Sequence, residues 1–344
     1  MTQATSASAV RSKIDLPSGN PDTRLGTLMP AEGENGVFAE SWYPVCLSSE
    51  LKSGEVRGET FLDGKIIIFR GDDGVARAMS AFCPHVGADL SVGSVAGNNI
   101  QCAFHKWEYD GSGTCVKTGI GDPAPKKARL FKFPTQECYG IVWVFNGEKP
   151  HWDIPEFEVP DENIVFRSYR FPDYFNCDPW VFAANTPDMQ HLKVVHGTEF
   201  AIDDPHANVD WDDWGFRYKI IAAHQQGVPI EWTLGIRGTT LFWQEGPYGE
   251  FWIGGMVGFG IPAVGKHEVF ATLALEITDD NGLLQERFDT AEALMNRTVG
   301  EDTDILNTIH YRPGTLTKGD TTLSRYLKFL RAYPRSHASG PFIK

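Results

Sequence analysis

Residues 83–85 read Cys-Pro-His and residues 102–105 read Cys-Ala-Phe-His, so the chain spells C-x-H, sixteen intervening residues, then C-x2-H. Each arm brings one thiol and one imidazole. Each also lies in turn-forming sequence, with Pro84 and Gly87 around the first arm and Gly111-Ser112-Gly113 after the second. A structural zinc site usually groups its cysteines first and its histidines second, as C-x2–4-C followed by H-x3–5-H. Four such residues can also simply fill a core, as a small hydrophobe and a satisfied polar ring. The mixed order, one of each residue type per arm, sets this pattern apart from both.

Two thiolates and two neutral imidazoles are the ligand set of a Rieske [2Fe–2S] centre, in which the sulfurs hold one iron and the histidines the other. On that reading Cys83 and Cys102 take one iron, and His85 and His105 take its partner. Replacing anionic thiolate by imidazole raises the reduction potential, so the chain handles electrons.

At 344 residues the chain is long for one core and two domains are expected. Apolar residues make up 42% and charged residues 22%, an ordinary globular balance. A formal net charge of −14 argues against a nucleic-acid partner, which would call for a basic stripe. No run approaches the roughly 18–20 apolar residues of a membrane span, and the start of the chain shows no secretory apolar segment, so no membrane partner is expected. Six cysteines, at 46, 83, 102, 115, 138 and 177, are too sparse and irregular for a disulfide framework, which fits a reducing, cytoplasmic setting.

Residues 1–37, rich in Ser, Ala, Gly and Pro, read as a flexible N-terminal arm, and Asp15, Asp22, Glu32 and Glu34 speak against a transit peptide. Residues 38–153 read as short strands and turns. Lys65–Arg70 is a buried strand followed by the turn Gly71-Asp72-Asp73-Gly74 and a second strand over 75–79. Gly140–Phe145 closes the unit ahead of Asn146-Gly147, a strong turn signal. Both Cys/His arms therefore fall on loops between strands.

The texture changes over residues 154–344. A helix-compatible stretch at 178–196 precedes strand-like runs at 216–222, 230–236, 239–243, 251–259 and 269–277. A long amphipathic pattern at 283–309 follows, with Leu284, Phe288, Ala291 and Leu294 on one face. The expected class is α+β: an all-β iron–sulfur domain, then an antiparallel sheet with helices laid over it.

Within the first helical region, residues 185–196 read N-x-x-D-x-x-H-x4-H. Thr186 is expected as the N-cap with Pro187 in the first turn. Asp188 and His191 are three apart and would share a helix face. His196 lies about 140° further round an ideal helix, so both rings reach one ion only if the helix ends or bulges between them, and Gly197 is a candidate stop. Two histidines near a helix end are commonly plain polar residues. Beside a one-electron centre they take on more meaning, because a 2-His-1-carboxylate triad holds non-haem Fe(II) with positions open for dioxygen.

The chain resembles the catalytic (alpha) subunit of Rieske non-haem iron oxygenases over roughly residues 40–335. The two Cys/His arms, the following Trp107-Glu108-Tyr109-Asp110-Gly111 and the 185–196 motif occur in the family's order. The resemblance implies a Rieske domain followed by a helix-grip (START-like) catalytic domain. It implies a [2Fe–2S] cluster and a mononuclear Fe(II) held by His191, His196 and a downstream carboxylate. Glu301-Asp302-Thr303-Asp304-Ile305-Leu306 resembles the family's D-x-x-I-L segment and selects Asp302, with Asp304 and then Asp289 as alternatives. The resemblance makes Asp188 a bridge between His191 and the His105 of a neighbouring subunit in a homotrimeric ring, and it sets Asn185 near the iron, where a structural cap is an equal reading. Alone, an acid at Asp188 would merely stabilise a helix start.

Two departures stand out: Lys106 where many relatives carry Gly, and Cys102-Ala103 where Cys-Pro is common. Neither removes a ligand, and Cys115 and Cys138 are expected to be structural. The implied activity is that of a terminal oxygenase component, using O2 and electrons from NAD(P)H through a ferredoxin or flavin reductase. It would hydroxylate or demethylate a small aromatic or polycyclic substrate, as in the monooxygenase and demethylase branch. Against this stand a Rieske electron carrier and a protein that only binds ligand. A carrier would stop near 110 residues, and three irons per chain rather than two would mark the enzyme.

Overall fold

The computed structural model describes residues 28–224 and 227–344. The arm expected over 1–37 therefore lies outside the described residues up to position 27. Its last part is ordered, with a short 3-10 turn at Glu34–Gly36 leading into the first strand.

Apolar alternation and turn residues build the first lobe from three small antiparallel sheets. One joins β3 (Val56–Phe61), β4 (Gly64–Arg70), β5 (Ala76–Ser80) and β10 (Lys132–Phe133); a second joins β2 (Trp42–Leu47), β11 (Thr135–Cys138) and β12 (Ile141–Phe145). The third is a ribbon of β6 (Ser94–Ala96), β7 (Asn99–Gln101), β8 (Glu108–Tyr109) and β9 (Cys115–Lys117). Every residue of β12, Ile-Val-Trp-Val-Phe, is buried, which suits a strand covered on both faces. The Cys83 arm joins β5 to β6 and the Cys102 arm joins β7 to β8, so both arms leave rigid strand ends.

The second lobe is one eight-stranded antiparallel sheet. Its order is β13 (Ile164–Arg170), β20 (Lys266–Glu276), β19 (Phe251–Ala263), β18 (Leu241–Tyr248), β17 (Val228–Arg237), β16 (Gly215–His224) and β14 (Glu199–Phe200), with β15 (Val209–Asp212) also paired to β16. Strand β16 alternates buried and exposed residues over most of its length, the mark of a sheet with one face on the core. The long helix α3 (Asn281–Leu306) lies across that inner face and buries Phe288, Ala291 and Leu294. Asp280 caps it by accepting from the main-chain N–H groups of Gly282 and Leu283.

Three sequence expectations need correction. The stretch 178–196 is not one helix but two short ones, α1 (Pro179–Ala183) and α2 (Met189–Val194). The N-cap of α2 is Asp188, not Thr186: Pro187 biases the residue before it away from helical angles, and the Asp188 carboxylate accepts from two helical N–H groups. The division at 153/154 also fails at the C-terminus. After α4 (Thr321–Ala332), strand β21 (Arg335–Ser336) pairs with β1 (Phe38–Ala39). Helix α5 (Gly340–Ile343) then seats Ile343 in the first lobe's core, and Lys344 and His337 both bond Asp63.

The lobes share one apolar seam in which Trp42, Trp143 and Phe145 meet Leu241, Met256 and Phe270. Gly258 on β19 makes room for it, since a Cβ there would fall 2.3 Å from the Trp143 ring. Packing at that density holds the two lobes as one block.

Candidate metal centres and the cavity between them

Each Cys/His arm is a loop closed on its own main chain. Cys83 O accepts from Gly87 N at 2.8 Å, and Cys102 O accepts from Lys106 N at 3.1 Å. Both closing residues are left-handed, Gly87 at φ 80° and Lys106 at φ 56°. That conformation suits glycine and makes Lys106 a strained exception. A third loop supports the tip, where Gly119 lies so close to the His105 carbonyl that a Cβ would sit 2.1 Å from its oxygen.

The arms bring all four predicted residues together. Cys83 and Cys102 are buried free thiols, while His85 and His105 stand exposed at the tip with their Nδ1 atoms 3.0 Å apart. The Tyr109 hydroxyl lies 3.0 Å from Cys83 Sγ, and the Trp107 ring stacks on His85 at 4.3 Å. Burial pushes the Cys83 thiol up, with the neighbouring Cys102 adding to it, while Tyr109 and the His85 main chain work the other way. Two thiols kept below and two ring nitrogens converging above fit a dinuclear cluster with one sulfur-ligated and one imidazole-ligated iron.

The second constellation forms where α2 ends. His191 lies in its last turn and His196 just past it, with Gly197 at φ 61° turning the chain away. Their Nε2 atoms face each other at 2.9 Å. Asp302 on α3 completes the group, its Oδ1 3.4 Å from His191 Nε2 and its Oδ2 3.5 Å from His196 Nε2. One ligand atom from each of the three lies within 4.8 Å of the others. Asp302 is 3% exposed and its Oδ1 accepts no hydrogen bond, an orphaned oxygen of the kind a metal ion satisfies. Burial alone would raise the Asp302 carboxyl, but His191 and His196 outweigh it and hold it below the ordinary range. Asp304 and Asp289 are both exposed, away from this group.

Asn185 donates from Nδ2 to Asp302 Oδ2 at 2.9 Å. Asp188 Oδ1 is taken by the main-chain N–H groups of Gln190 and His191, not by the His191 ring. Three neighbours fill no defined position of the sequence motifs. Glu301 Oε2 lies 2.8 Å from His196 Nδ1, Gln190 ties α2 to Asp320, and Tyr218 donates to the Thr186 carbonyl from beneath. Only Glu301 had a signal, its place beside a candidate ligand; the others depend on packing.

The three residues open into a cavity between α3 and the sheet. Ile220, Trp232, Phe242, Ile253, Leu273 and Leu294 make its wall largely apolar. Of the aromatics in 200–260, Trp232 and Phe242 face this space whereas Trp243 belongs to the seam between the lobes.

The Rieske [2Fe-2S] domain profile matches residues 41–134. Among curated proteins, the chain is 34% identical over 186 residues to a cholesterol 7-desaturase of Bombyx mori, covering 52% of this chain and 39% of that one. It is 28% identical over 215 residues to methylxanthine N1-demethylase NdmA of Pseudomonas putida, covering 59% and 61%. It is 31% identical over 160 residues to the oxygenase component of dicamba O-demethylase from Stenotrophomonas maltophilia, covering 45% and 47%. The chain thus spans about half the length of the curated relatives it matches. Among solved structures, P. putida NdmA with caffeine superposes with a TM-score of 0.67 at 22% identity, over 84% of this chain and 89% of that one. Dicamba monooxygenase bound to dicamba gives 0.64 at 21%, over 85% and 97%, so the fold is shared across both lobes.

A Rieske [2Fe-2S] domain is thus joined to an antiparallel sheet that grips a long helix, the two-lobed fold also seen in NdmA and dicamba monooxygenase. The chain's curated relatives include two demethylases and a desaturase.

Proposed function

We propose that the chain is the terminal component of a Rieske oxygenase system, which uses O2 and NAD(P)H-derived electrons to hydroxylate or oxidatively demethylate a small, largely apolar organic molecule. One observation carries this reading: the orphaned Asp302 oxygen facing two imidazole Nε2 atoms at the edge of an apolar cavity. A carrier of single electrons has no use for such a cavity. Cys83, Cys102, His85 and His105 would hold the cluster, and His191, His196 and Asp302 the mononuclear Fe(II). When bound, the cluster supplies one-electron transfer and the iron supplies reductive activation of O2.

The chain's own residues do the rest. Glu301 accepts a hydrogen bond from His196 Nδ1–H and so leaves Nε2 as the ligating nitrogen. Asn185 holds Asp302 through one oxygen. The apolar wall excludes water and orients substrate through shape. A homotrimeric ring fits the exposed tip, where Phe104 is 65% exposed beside His105, and the exposed Val194 on α2, 80%. In that ring Asp188 would lie between His191 and the partner subunit's His105. A ferredoxin or flavin reductase would deliver electrons, in a reducing cytoplasmic compartment.

Metal analysis of protein reconstituted anaerobically with iron and sulfide tests the reading. Three irons per chain are expected, with oxidised product formed on addition of NADH and a surrogate reductase. Two irons and no product across a substrate panel would make the chain an electron carrier.

A further inference from the structure

His224 is the odd residue in the cavity. It ends strand β16 on the inward face after Tyr218, Ile220 and Ala222, and it is 6% exposed. Neither ring nitrogen makes a hydrogen bond among the described residues, and Nδ1 is wholly buried. Three other polar groups on the wall are already engaged. Thr272 donates to the Tyr139 carbonyl, Thr298 donates to the Leu294 carbonyl, and Asn185 is spent on Asp302. A buried, unpaired imidazole costs stability, on the order of 1–3 kcal/mol, unless something completes it.

Position adds a second argument. Gln244 stands across the sheet from Leu234 and Tyr218, and Tyr218 precedes His224 by six residues on the same strand. At about 3.3 Å per residue the wall therefore runs on the order of 20 Å along the strands, with His224 toward one end and Gln244 toward the other. Trp232 packs 5.7 Å from the His224 ring and fixes its plane. Burial drives the imidazole down to about 4, helped by the Arg297 charge, so at neutral pH it is an uncharged donor and acceptor.

We propose that His224 is the specificity-determining residue of this cavity: it takes the hydrogen bond of a hydroxyl group on an otherwise hydrocarbon substrate and so fixes which end of an elongated frame points away from it. This deepens the oxygenase reading and rests on it for the word substrate. A hydroxyl satisfies either imidazole tautomer because it both donates and accepts. A parent hydrocarbon leaves the ring unpaired and so binds less tightly.

The test is equilibrium binding to the full chain in its oxidised, cluster-bearing form, without turnover. Matched probes are para-hydroxybiphenyl against biphenyl and androstanol against androstane, with biphenyl carboxylate as an anionic arm. Wild type should prefer each hydroxylated member about tenfold, His224→Leu should lose the preference, and His224→Gln should keep most of it. A second arm needs no variant: the imidazole 15N resonances of His224 should move with the hydroxylated probes and stay put with the hydrocarbons. Equal binding within the pairs, a preference surviving in His224→Leu, tightest binding of the carboxylate, or no binding by any probe would each overturn the proposal. Product formation is not measured here. A chain that shows the preference yet oxidises nothing would sink the oxygenase reading and leave His224 in place.

Discussion

Nδ1 of His196 lies 2.8 Å from Oε2 of Glu301, the residue immediately before Asp302 on α3. One turn of that helix therefore supplies both a carboxylate aimed at the Nε2 edge of the ring and a second carboxylate at the opposite edge. A histidine held this way has its tautomer and its plane set before any ion arrives.

Removing that support should loosen the metal without abolishing its site. Glu301→Ala is expected to weaken retention of the mononuclear iron 10–100-fold against a chelator, with the cluster's visible absorption unchanged. Glu301→Gln, which still accepts from Nδ1, should fall between. Equal retention in all three proteins would remove the supporting role.

Asp302→Asn and His191→Ala should each lower the iron count by one per chain and reduce product formation at least 100-fold, while the reduced cluster keeps its paramagnetic signature. A count unchanged in both variants would mean that the His–His–Asp group holds no iron.

Asp188 separates its two roles by substitution. Asn caps helices as well as Asp does, so Asp188→Asn should change stability by less than about 0.5 kcal/mol, whereas Asp188→Ala should cost about 1 kcal/mol in chemical denaturation. If the carboxylate bridges to the partner subunit, both should lose most turnover with both metal centres full. Turnover that tracked stability instead would leave only the cap.

Lys106 occupies a left-handed conformation at φ 56° in an exposed loop. Lys106→Gly should remove that strain and stabilise the protein by up to about 1 kcal/mol, read as a higher denaturation midpoint with the cluster intact. A lower midpoint would show that the lysine side chain contributes more than its backbone costs.

Glu245 governs a separate pH effect on stability. Burial pushes its carboxyl from 4.5 up to about 7, although the Glu158 main-chain N–H donates to it at 2.6 Å. Between those values the folded protein binds more protons than the unfolded chain, so stability is full below about pH 4.5 and declines as pH rises through about 7. Glu245→Gln should be more stable than the parent by roughly 2 kcal/mol at pH 8 and equal to it near pH 4.5. Parallel curves at all pH values would refute the assignment.

Reading residues in order was enough for the pieces whose chemistry is local. Cys-Pro-His and Cys-Ala-Phe-His name a ligand set by residue type alone, and the period of residues 284–294 marks the buried face of α3. The run 178–196 misled because its helical pattern is interrupted around Asn185-Thr186-Pro187, and the proline and the Asp188 side chain together restart the helix only at Met189, the first one having ended at Ala183. Residues 335–344 misled for another reason. Nothing in Arg-Ser-His or Gly-Pro-Phe-Ile announces that the chain returns to pair with Phe38–Ala39, since strand pairing across some three hundred residues leaves no local mark.

By itself the order of residues determined which atoms could hold metal and where the long regular segments such as α3 would fall, because donor type and hydrophobic period are properties of a few neighbouring side chains. Only the tertiary structure decided that Asp302 rather than Asp304 or Asp289 faces His191 and His196. It likewise decided that Glu301 backs one ring and that His224, in an apolar cavity, has no hydrogen-bond partner among the described residues. Those facts depend on how α3 is rotated against the sheet, a choice made by packing Phe288, Ala291 and Leu294 that involves the whole inner face at once.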